Sequence, residues 1–218
     1  MTTSPRFKKL AKINGVLFIL LFQFVGGVYC NQAGVENKTM TENLRKATFA
    51  GGCFWCMQSE FDHEEGIIGT SVGYTGGKEE NPSYEDVSSG KTGHAEAIEI
   101  VFDPEKISYE RLLKIFWRNI DPTTLDQQFA DIGSQYRTAI FYHDDEQKKQ
   151  AIESKEALAK TGKFKKPLVT EVVPAGKFYV AEEYHQRYYK KNPMQYKMYK
   201  IGSGREAYVK GMWGSEKE

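Results

Sequence analysis

Residues 46–62, KATFAGGCFWCMQSEFD, bring two cysteines together at a change of secondary structure. The first five residues predict a short strand, the two glycines that follow predict a turn, and the residues from Cys53 onward predict a helix. A thiol at the start of a helix lies beside unpaired backbone N–H groups and the positive end of the helix dipole, which lower its pKa. Cys56, one turn later on the same face, is close enough to form a bridge with Cys53.

A pair of cysteines at this spacing can be a metal clip, a structural bridge or a redox centre. Cys30 is the only other cysteine in the sequence, so a four-thiolate zinc site is excluded and a disulfide scaffold is disfavoured. A static bridge over such a short loop would constrain the unfolded chain little. The pair therefore favours redox chemistry without a metal.

Phe54 and Trp55 lie between the two cysteines and have two interpretations of equal weight. They can be ordinary core residues, which is where most aromatic side chains are found. They can also form a hydrophobic wall that holds a small apolar group against the nucleophile.

The composition limits the partners of the protein. The chain has 218 residues, with 30 Lys and Arg against 29 Asp and Glu, so its net charge of +1 indicates no nucleic-acid partner. Residues 188–200, YYKKNPMQYKMYK, are basic and aromatic, and we predict a solvated surface there. His185 is predicted to have a structural role.

The N-terminal segment has the pattern of a secretory signal. Four basic residues within positions 6–12 precede the uncharged residues 13–30. A cleaved signal is favoured over an uncleaved anchor, because residues 13–30 are short and polar for a spanning helix, and Tyr29 disfavours a lipid on Cys30. We expect an exported protein, periplasmic or extracellular.

The remaining chain is predicted to form one domain. We expect a linker over residues 31–45, a catalytic domain over 46–214 and a short tail over 215–218. Strands are predicted within residues 69–77, 94–103, 136–143 and 167–175, with helices after Ser108 and over 144–162. Because these elements intermix without a regular βαβ repeat, we predict an α+β fold with a mixed or antiparallel central sheet flanked by helices.

Several motifs in a fixed order resemble one enzyme family. GGCFWC is similar to the signature that begins the active-site helix of A-type peptide methionine sulfoxide reductases. The similarity continues through VGYTGG, NPSYEDV, TGHAEAIEIVFDP, FWRNIDPTT, DIGSQYRTAIFY and AEEYHQRYYKKNP, and covers residues 46–213. The resemblance implies a ferredoxin-like α/β sandwich of the type found in this family.

The resemblance assigns roles to single positions. Cys53 falls on the family nucleophile, and Phe54 and Trp55 fall on the rings that hold the substrate methyl group. The remaining positions that match the family's site are Glu96 as the acid, Tyr84, Tyr136 and Asp131. Many members have glycine where this chain has Cys56 and use cysteines near the C-terminus; since no cysteine follows Cys56 here, Cys56 is the internal candidate for the resolving thiol.

The resemblance also implies the reaction and its partners. We expect thiol-dependent reduction of methionine-S-sulfoxide, free or in oxidised proteins, by a monomer without a bound cofactor. An external thioredoxin-like dithiol would reduce the Cys53–Cys56 disulfide. A general thiol–disulfide oxidoreductase is the alternative enzyme, and a bridged extracellular binding module is the alternative without activity.

Overall fold

The computed structural model describes residues 43–214, which contain eight strands and seven α-helices. The strands are β1 Arg45–Gly51, β2 Ile67–Thr75, β3 Ala95–Phe102, β4 Gln127–Gln128, β5 Asp131–Ile132, β6 Thr138–Tyr142, β7 Glu171–Pro174 and β8 Tyr179–Val180. The helices are α1 Phe54–Phe61, α2 Tyr84–Ser88, α3 Tyr109–Arg118, α4 Asp145–Lys160, α5 Tyr188–Lys191, α6 Pro193–Gly202 and α7 Arg205–Trp213. A short 3-10 turn spans Ser134–Tyr136.

Six of the strands form one sheet in the order β7-β6-β1-β3-β2-β8. β6 and β7 are parallel, and the other neighbours are antiparallel. The four central strands and the two helices between them follow one another along the chain as β1, α1, β2, β3, α3 and β6. This is the split βαβ arrangement of ferredoxin-like folds. The predicted α+β fold with a mixed sheet is confirmed.

The alternation of β3 decides which of its side chains face the helices. Ile98, Ile100 and Phe102 belong to the main core with Met57 of α1, whereas Ala97 packs in a separate cluster. Glu96 keeps the same alternation as the three apolar residues, so this carboxyl group is on the helix side of the sheet.

The predicted helix after Ser108 is confirmed by its N-cap. The Ser108 hydroxyl accepts a hydrogen bond from the N–H of Arg111 at 3.2 Å, and the apolar face of α3 is buried. The strand predicted from Tyr136 begins only at Thr138, because Tyr136 lies in the 3-10 turn.

The C-terminal part of the domain differs from the predicted solvated surface. Residues 188–200 lie in α5 and α6, and Tyr196 of this stretch is buried against Cys53 and Cys56. The aromatic rings of this segment are therefore directed inward, although its lysines are largely exposed.

Several predicted segments lie outside the described residues. These are the N-terminal signal over 1–30, nearly all of the linker over 31–45 and the tail over 215–218; Arg45, the last residue of the predicted linker, begins β1. Within residues 43–214, no helix has the length and apolar character needed to cross a membrane.

Candidate active site

The two cysteines lie at the start of α1, as predicted. Cys53 is the N-cap residue of the helix, and its carbonyl accepts the N–H of Cys56 at 3.1 Å. Gly52 precedes it with φ +76°, and a Cβ there would lie 2.4 Å from Cβ of Gln128. The turn before Cys53 thus requires glycine for both its conformation and its contact.

Glu96 is buried beneath the first turn of α1. Its Oε2 accepts the backbone N–H of Phe54 at 3.0 Å, and the residue is 3% exposed. Burial raises the pKa of Glu96 to about 8, against the lowering effect of the Phe54 hydrogen bond. The carboxyl group therefore keeps its proton at neutral pH and can act as an acid.

A cavity of about 120 Å³ opens beside the Cys53 thiol. The residues that line it are Cys53, Phe54, Trp55, Tyr84, Glu96, Asp131, Tyr136 and Tyr199. The structure thus brings together every site residue that the sequence suggested, except Cys56, and adds Tyr199. Cys56 is fully buried behind the cavity, where its thiol hydrogen-bonds to that of Cys53.

The two predicted tyrosines come from neighbouring short elements. Tyr84 begins α2, and its backbone N–H donates to Oε1 of Glu182 at 2.8 Å. Gln135, beside Tyr136, donates its side-chain amide to the carbonyl of Ser88 at the end of α2 at 3.0 Å. This bond ties together the segments that carry the two hydroxyl groups.

Both hydroxyl groups remain protonated at neutral pH. Burial, followed by the charge of Glu96, raises the pKa of Tyr84 to about 12. The pKa of Tyr136 is raised by the same two causes, burial first. Tyr84 and Tyr136 can therefore donate hydrogen bonds to an oxygen atom in the cavity.

Trp55 forms one wall of the cavity and is held from two sides. Its indole N–H donates to Nδ1 of His185 at 3.0 Å, and its ring stacks on Tyr188 with centroids 3.8 Å apart. Phe54 is 1% exposed and packs in the core, yet it also lines the cavity. Phe54 thus serves as both core residue and wall, while Trp55 is a wall fixed by residues from the C-terminal segment.

Asp131 also lines the cavity and is hydrogen-bonded to Tyr199, the lining residue that the sequence did not suggest. The Tyr199 hydroxyl donates to Oδ2 of Asp131 and also hydrogen-bonds to the thiol of Cys53. Burial raises the pKa of Asp131, while this hydrogen bond and the charge of Arg205 lower it.

The electrostatics of the thiols differ from the sequence prediction. The pKa of Cys53 is raised, first by burial and then by Cys56 and Glu96, although a helix start was expected to lower it. Burial outweighs the effect of the helix start, and Cys53 makes no side-chain capping bond to the helix N–H groups. In contrast, the hydrogen bond from Cys53 and the charges of Arg205 and Lys200 lower the pKa of Cys56 to about 7.

Four residues of the site were not assigned a role from the sequence. Tyr188, Tyr196 and Tyr199 belong to the stretch predicted to be a solvated surface, and Arg205 was not singled out. The density of tyrosines in residues 188–200 was the available signal, since exposed segments rarely need so many large rings. His185 has the predicted structural role, because it holds Trp55.

The arrangement can support reduction of a small polar acceptor. It combines a thiol, a buried protonated acid and two hydroxyl donors, with apolar walls and a second thiol behind the first. Such a site can protonate an oxygen atom of a bound molecule while the thiol sulfur attacks the atom that carries this oxygen.

The sequence matches one protein family over almost all of the described residues. The family described as peptide methionine sulfoxide reductase matches residues 45–217. The chain is 55% identical to peptide methionine sulfoxide reductase MsrA of Bacillus licheniformis over 175 residues, which cover 80% of this chain and 97% of that protein. It is 54% identical to the protein of the same name from Bacillus subtilis over 177 residues, which cover 81% of this chain and all of the relative.

Solved structures have the same fold. Reduced Mxr1 from Saccharomyces cerevisiae superposes with a TM-score of 0.66 at 34% identity, covering 70% of this chain and 88% of that one. Methionine sulfoxide reductase A of Corynebacterium diphtheriae superposes with a TM-score of 0.64 at 33% identity, covering 70% of this chain and 76% of that one.

We predict that Glu96→Gln makes the folded protein more stable at alkaline pH. The pKa of Glu96 rises from 4.5 to about 8 on folding, so the folded state holds a proton that the unfolded state has released between these values. The free energy of unfolding of the wild type should therefore fall as the pH rises through this window, by on the order of a few kcal/mol. The variant lacks this titration, and its advantage should be largest above pH 8.

Urea denaturation at several pH values, with the thiols kept reduced, measures this difference. The control is Glu80→Gln, because Glu80 is exposed. Parallel stability curves for Glu96→Gln and the wild type would show that Glu96 is not buried as an acid.

Proposed function

The chain belongs to the peptide methionine sulfoxide reductase family, and we propose that it reduces methionine-S-sulfoxide with Cys53 as nucleophile and Cys56 as resolving thiol. The family is one of oxidoreductases, and the observation that carries the residue assignment is the cavity. It places the Cys53 thiol, the Glu96 acid and two tyrosine hydroxyls around a volume of about 120 Å³ with aromatic walls.

The cavity suits the end of an oxidised methionine side chain. We place the substrate methyl group against Trp55 and Phe54, which gives this apolar group a desolvated wall. The sulfoxide oxygen then lies toward Tyr84 and Tyr136, whose hydroxyls donate to it. Because these donors sit in a buried site, they stabilise charge that develops on the oxygen more strongly than water does.

The first chemical step is proton-coupled attack by Cys53. Glu96 gives its proton to the sulfoxide oxygen, Cys53 attacks, and the thiol proton of Cys53 replaces the lost proton on Glu96. The attack joins the sulfur of Cys53 to the substrate sulfur. The hydroxyl group then moves from the substrate sulfur to the sulfur of Cys53 as this S–S bond breaks, methionine leaves, and Cys53 remains as a sulfenic acid. The two electrons that reduce the substrate come from the sulfur of Cys53.

The second step closes a disulfide. Cys56 attacks the sulfur of Cys53, the Cys53–Cys56 bond forms, and the hydroxyl group leaves as water. An external thioredoxin-like dithiol then reduces this disulfide by thiol–disulfide exchange. No cysteine follows Cys56 in the sequence, so this chain has no later thiol to which the disulfide could be passed.

A general thiol–disulfide oxidoreductase does not account for the site. Disulfide exchange needs a thiolate and an accessible sulfur, but neither a buried acid nor hydroxyl donors. The site instead raises the pKa of Glu96 to about 8 and arranges Tyr84 and Tyr136 beside it. A non-enzymatic binding module leaves the same groups without a role.

The purified protein, which we propose to be a monomer, should reduce the S epimer of a methionine sulfoxide peptide in the presence of dithiothreitol. The R epimer should react at least about a hundredfold more slowly, because exchanging methyl and oxygen would bury the oxygen against Trp55 without a donor. Chromatography of the product with each pure epimer measures this ratio. Equal rates on the two epimers, or no turnover on either, would exclude this assignment of the cavity.

The cysteine variants should separate the two steps in the absence of reductant. Cys53→Ser should release no methionine, whereas Cys56→Ser should release one equivalent, as the wild type does, because methionine leaves before the second thiol acts. The sulfenic acid should accumulate only in Cys56→Ser, where a cyclic 1,3-diketone can trap it. Loss of the first equivalent in Cys56→Ser would instead assign Cys56 to the chemical step.

We further propose that the enzyme works outside the cytoplasm. The support is the basic segment within residues 6–12 followed by the uncharged residues 13–30. Fractionation of the source cells followed by N-terminal sequencing should find the protein in an exported fraction. Recovery in the cytosol with an intact N-terminus would contradict export.

A further inference from the structure

Arg205 is a buried cation without a carboxylate partner. It begins α7, is 2% exposed, and takes part in no ion pair of residues 43–214. Its guanidinium donates to the carbonyl of Asn119 at 2.6 Å and to the carbonyl of Gly51 at 2.9 Å. It also lies over the ring of Phe129, 4.6 Å from the centroid.

These contacts satisfy hydrogen bonds but supply no full negative charge. Removing an ion from water costs several kcal/mol, and buried cations are therefore normally paired with an acid. Two backbone carbonyls and one ring offset only part of that cost. An anion that forms nearby would complete the compensation.

The position of Arg205 points to the cysteine pair as the source of that anion. Its bond to Gly51 places it under the turn before Cys53, and its Nη1 lies 3.8 Å from Sδ of Met57, the residue after Cys56. Cys56 is fully buried in the same region. The hydrogen bond from Cys53 and then the charge of Arg205 lower the pKa of Cys56 to about 7.

The other groups around Cys56 give it a polarised environment. Cys53 and Tyr196 donate hydrogen bonds to its sulfur, and Glu96 on β3 faces the pair from the sheet. Asp131 on β5 is a second acid beside Cys53 and accepts a hydrogen bond from Tyr199. Lys200 on α6 also acts on Cys56, but its ammonium group is paired with Glu60 at 2.6 Å. Arg205 also acts on Asp131 through its charge, but unlike Lys200 it forms no ion pair among residues 43–214.

We propose that Arg205 is a positioning residue of the reaction, whose buried charge holds Cys56 as the thiolate that attacks the Cys53 sulfenic acid. This inference rests on the proposed function. In the step, an electron pair of the Cys56 thiolate forms the S–S bond, and the S–O bond of Cys53 breaks. The oxygen leaves as water after it takes a proton from Glu96, which later regains one from solvent; Cys56 is oxidised and the sulfur of Cys53 is reduced.

The test follows both steps of a single turnover from pH 5 to pH 9, a range that spans the value of about 7 for the pKa of Cys56. Methionine release reports the first step, and mass spectrometry of the acid-quenched peptide that carries both cysteines reports disulfide formation. The variants are Arg205→Gln, which keeps a polar N–H donor but loses the charge, and Arg205→Lys, which keeps the charge. Lys197→Gln is the control for loss of an exposed positive charge on α6.

We expect Arg205→Gln to slow disulfide formation about fivefold or more at pH 7, because a rise of one unit in the pKa of Cys56 from about 7 lowers the thiolate fraction at that pH about fivefold. The acid side of its pH profile should move upward by a unit or more. Methionine release should stay within about threefold of the wild type. Arg205→Lys should recover most of the rate, and Lys197→Gln should match the wild type.

Two results would overturn the proposal: an equal loss of rate at every pH in Arg205→Gln, which indicates a purely structural role, or no loss at all. The wild type decides the matter if Arg205→Gln does not fold. Its disulfide step should lose rate below about pH 7, where Cys56 takes up a proton, and again above about pH 8, where Glu96 loses the proton that it gives to the leaving oxygen. A wild-type profile that still rises toward pH 9 would refute the thiolate assignment. Absence of methionine release from the wild type would instead refute the proposed function itself.

Discussion

The hydrogen bond from the backbone N–H of Phe54 to Oε2 of Glu96, at 3.0 Å, is the constraint on which the site depends. It joins the first turn of α1 to the central strand β3, and so fixes the distance between the nucleophile and the acid. It also uses one of the N–H groups that a helix start offers to an anion. Burial, followed by the neighbouring Cys56 and Glu96, raises the pKa of the Cys53 thiol. The fold thus keeps the acid and the nucleophile protonated together until a substrate oxygen accepts a proton.

The two cysteines lie one helical turn apart and have neighbours of opposite charge. Glu96 and Asp131 lie on the side of Cys53, and Arg205 and Lys200 act on Cys56. This separation matches the order of the two proposed steps. Cys53 attacks first with the help of the proton from Glu96, and Cys56 attacks second as a thiolate. Two identical side chains, three positions apart, therefore acquire different chemistry from their surroundings alone.

Both ends of the described chain build the site. The strand, turn and helix of residues 45–61 provide the thiols, while the C-terminal residues 182–205 hold them in place. Glu182 fixes the start of α2, His185 and Tyr188 hold Trp55, and Tyr199 bonds to Asp131. Since Tyr199 of this segment lines the cavity and its other residues hold Trp55 and Tyr84, the cavity forms only when the whole domain is folded.

Local patterns in the sequence were sufficient for much of the fold and for most of the cavity. The strand, turn and helix around Cys53, the N-cap at Ser108 and the alternation of β3 follow from short-range periodicity and turn chemistry, and the family motifs supplied the seven cavity residues from Cys53 to Tyr136. Tertiary structure alone decided the direction of the pKa of Cys53, the inward packing of residues 188–200 and the burial of Arg205. The physical reason is that a pKa depends on burial and on charges near in space, which come here from β3, α6 and α7. A sequence pattern records the neighbours along the chain, whereas these contacts join residues more than 40 positions apart.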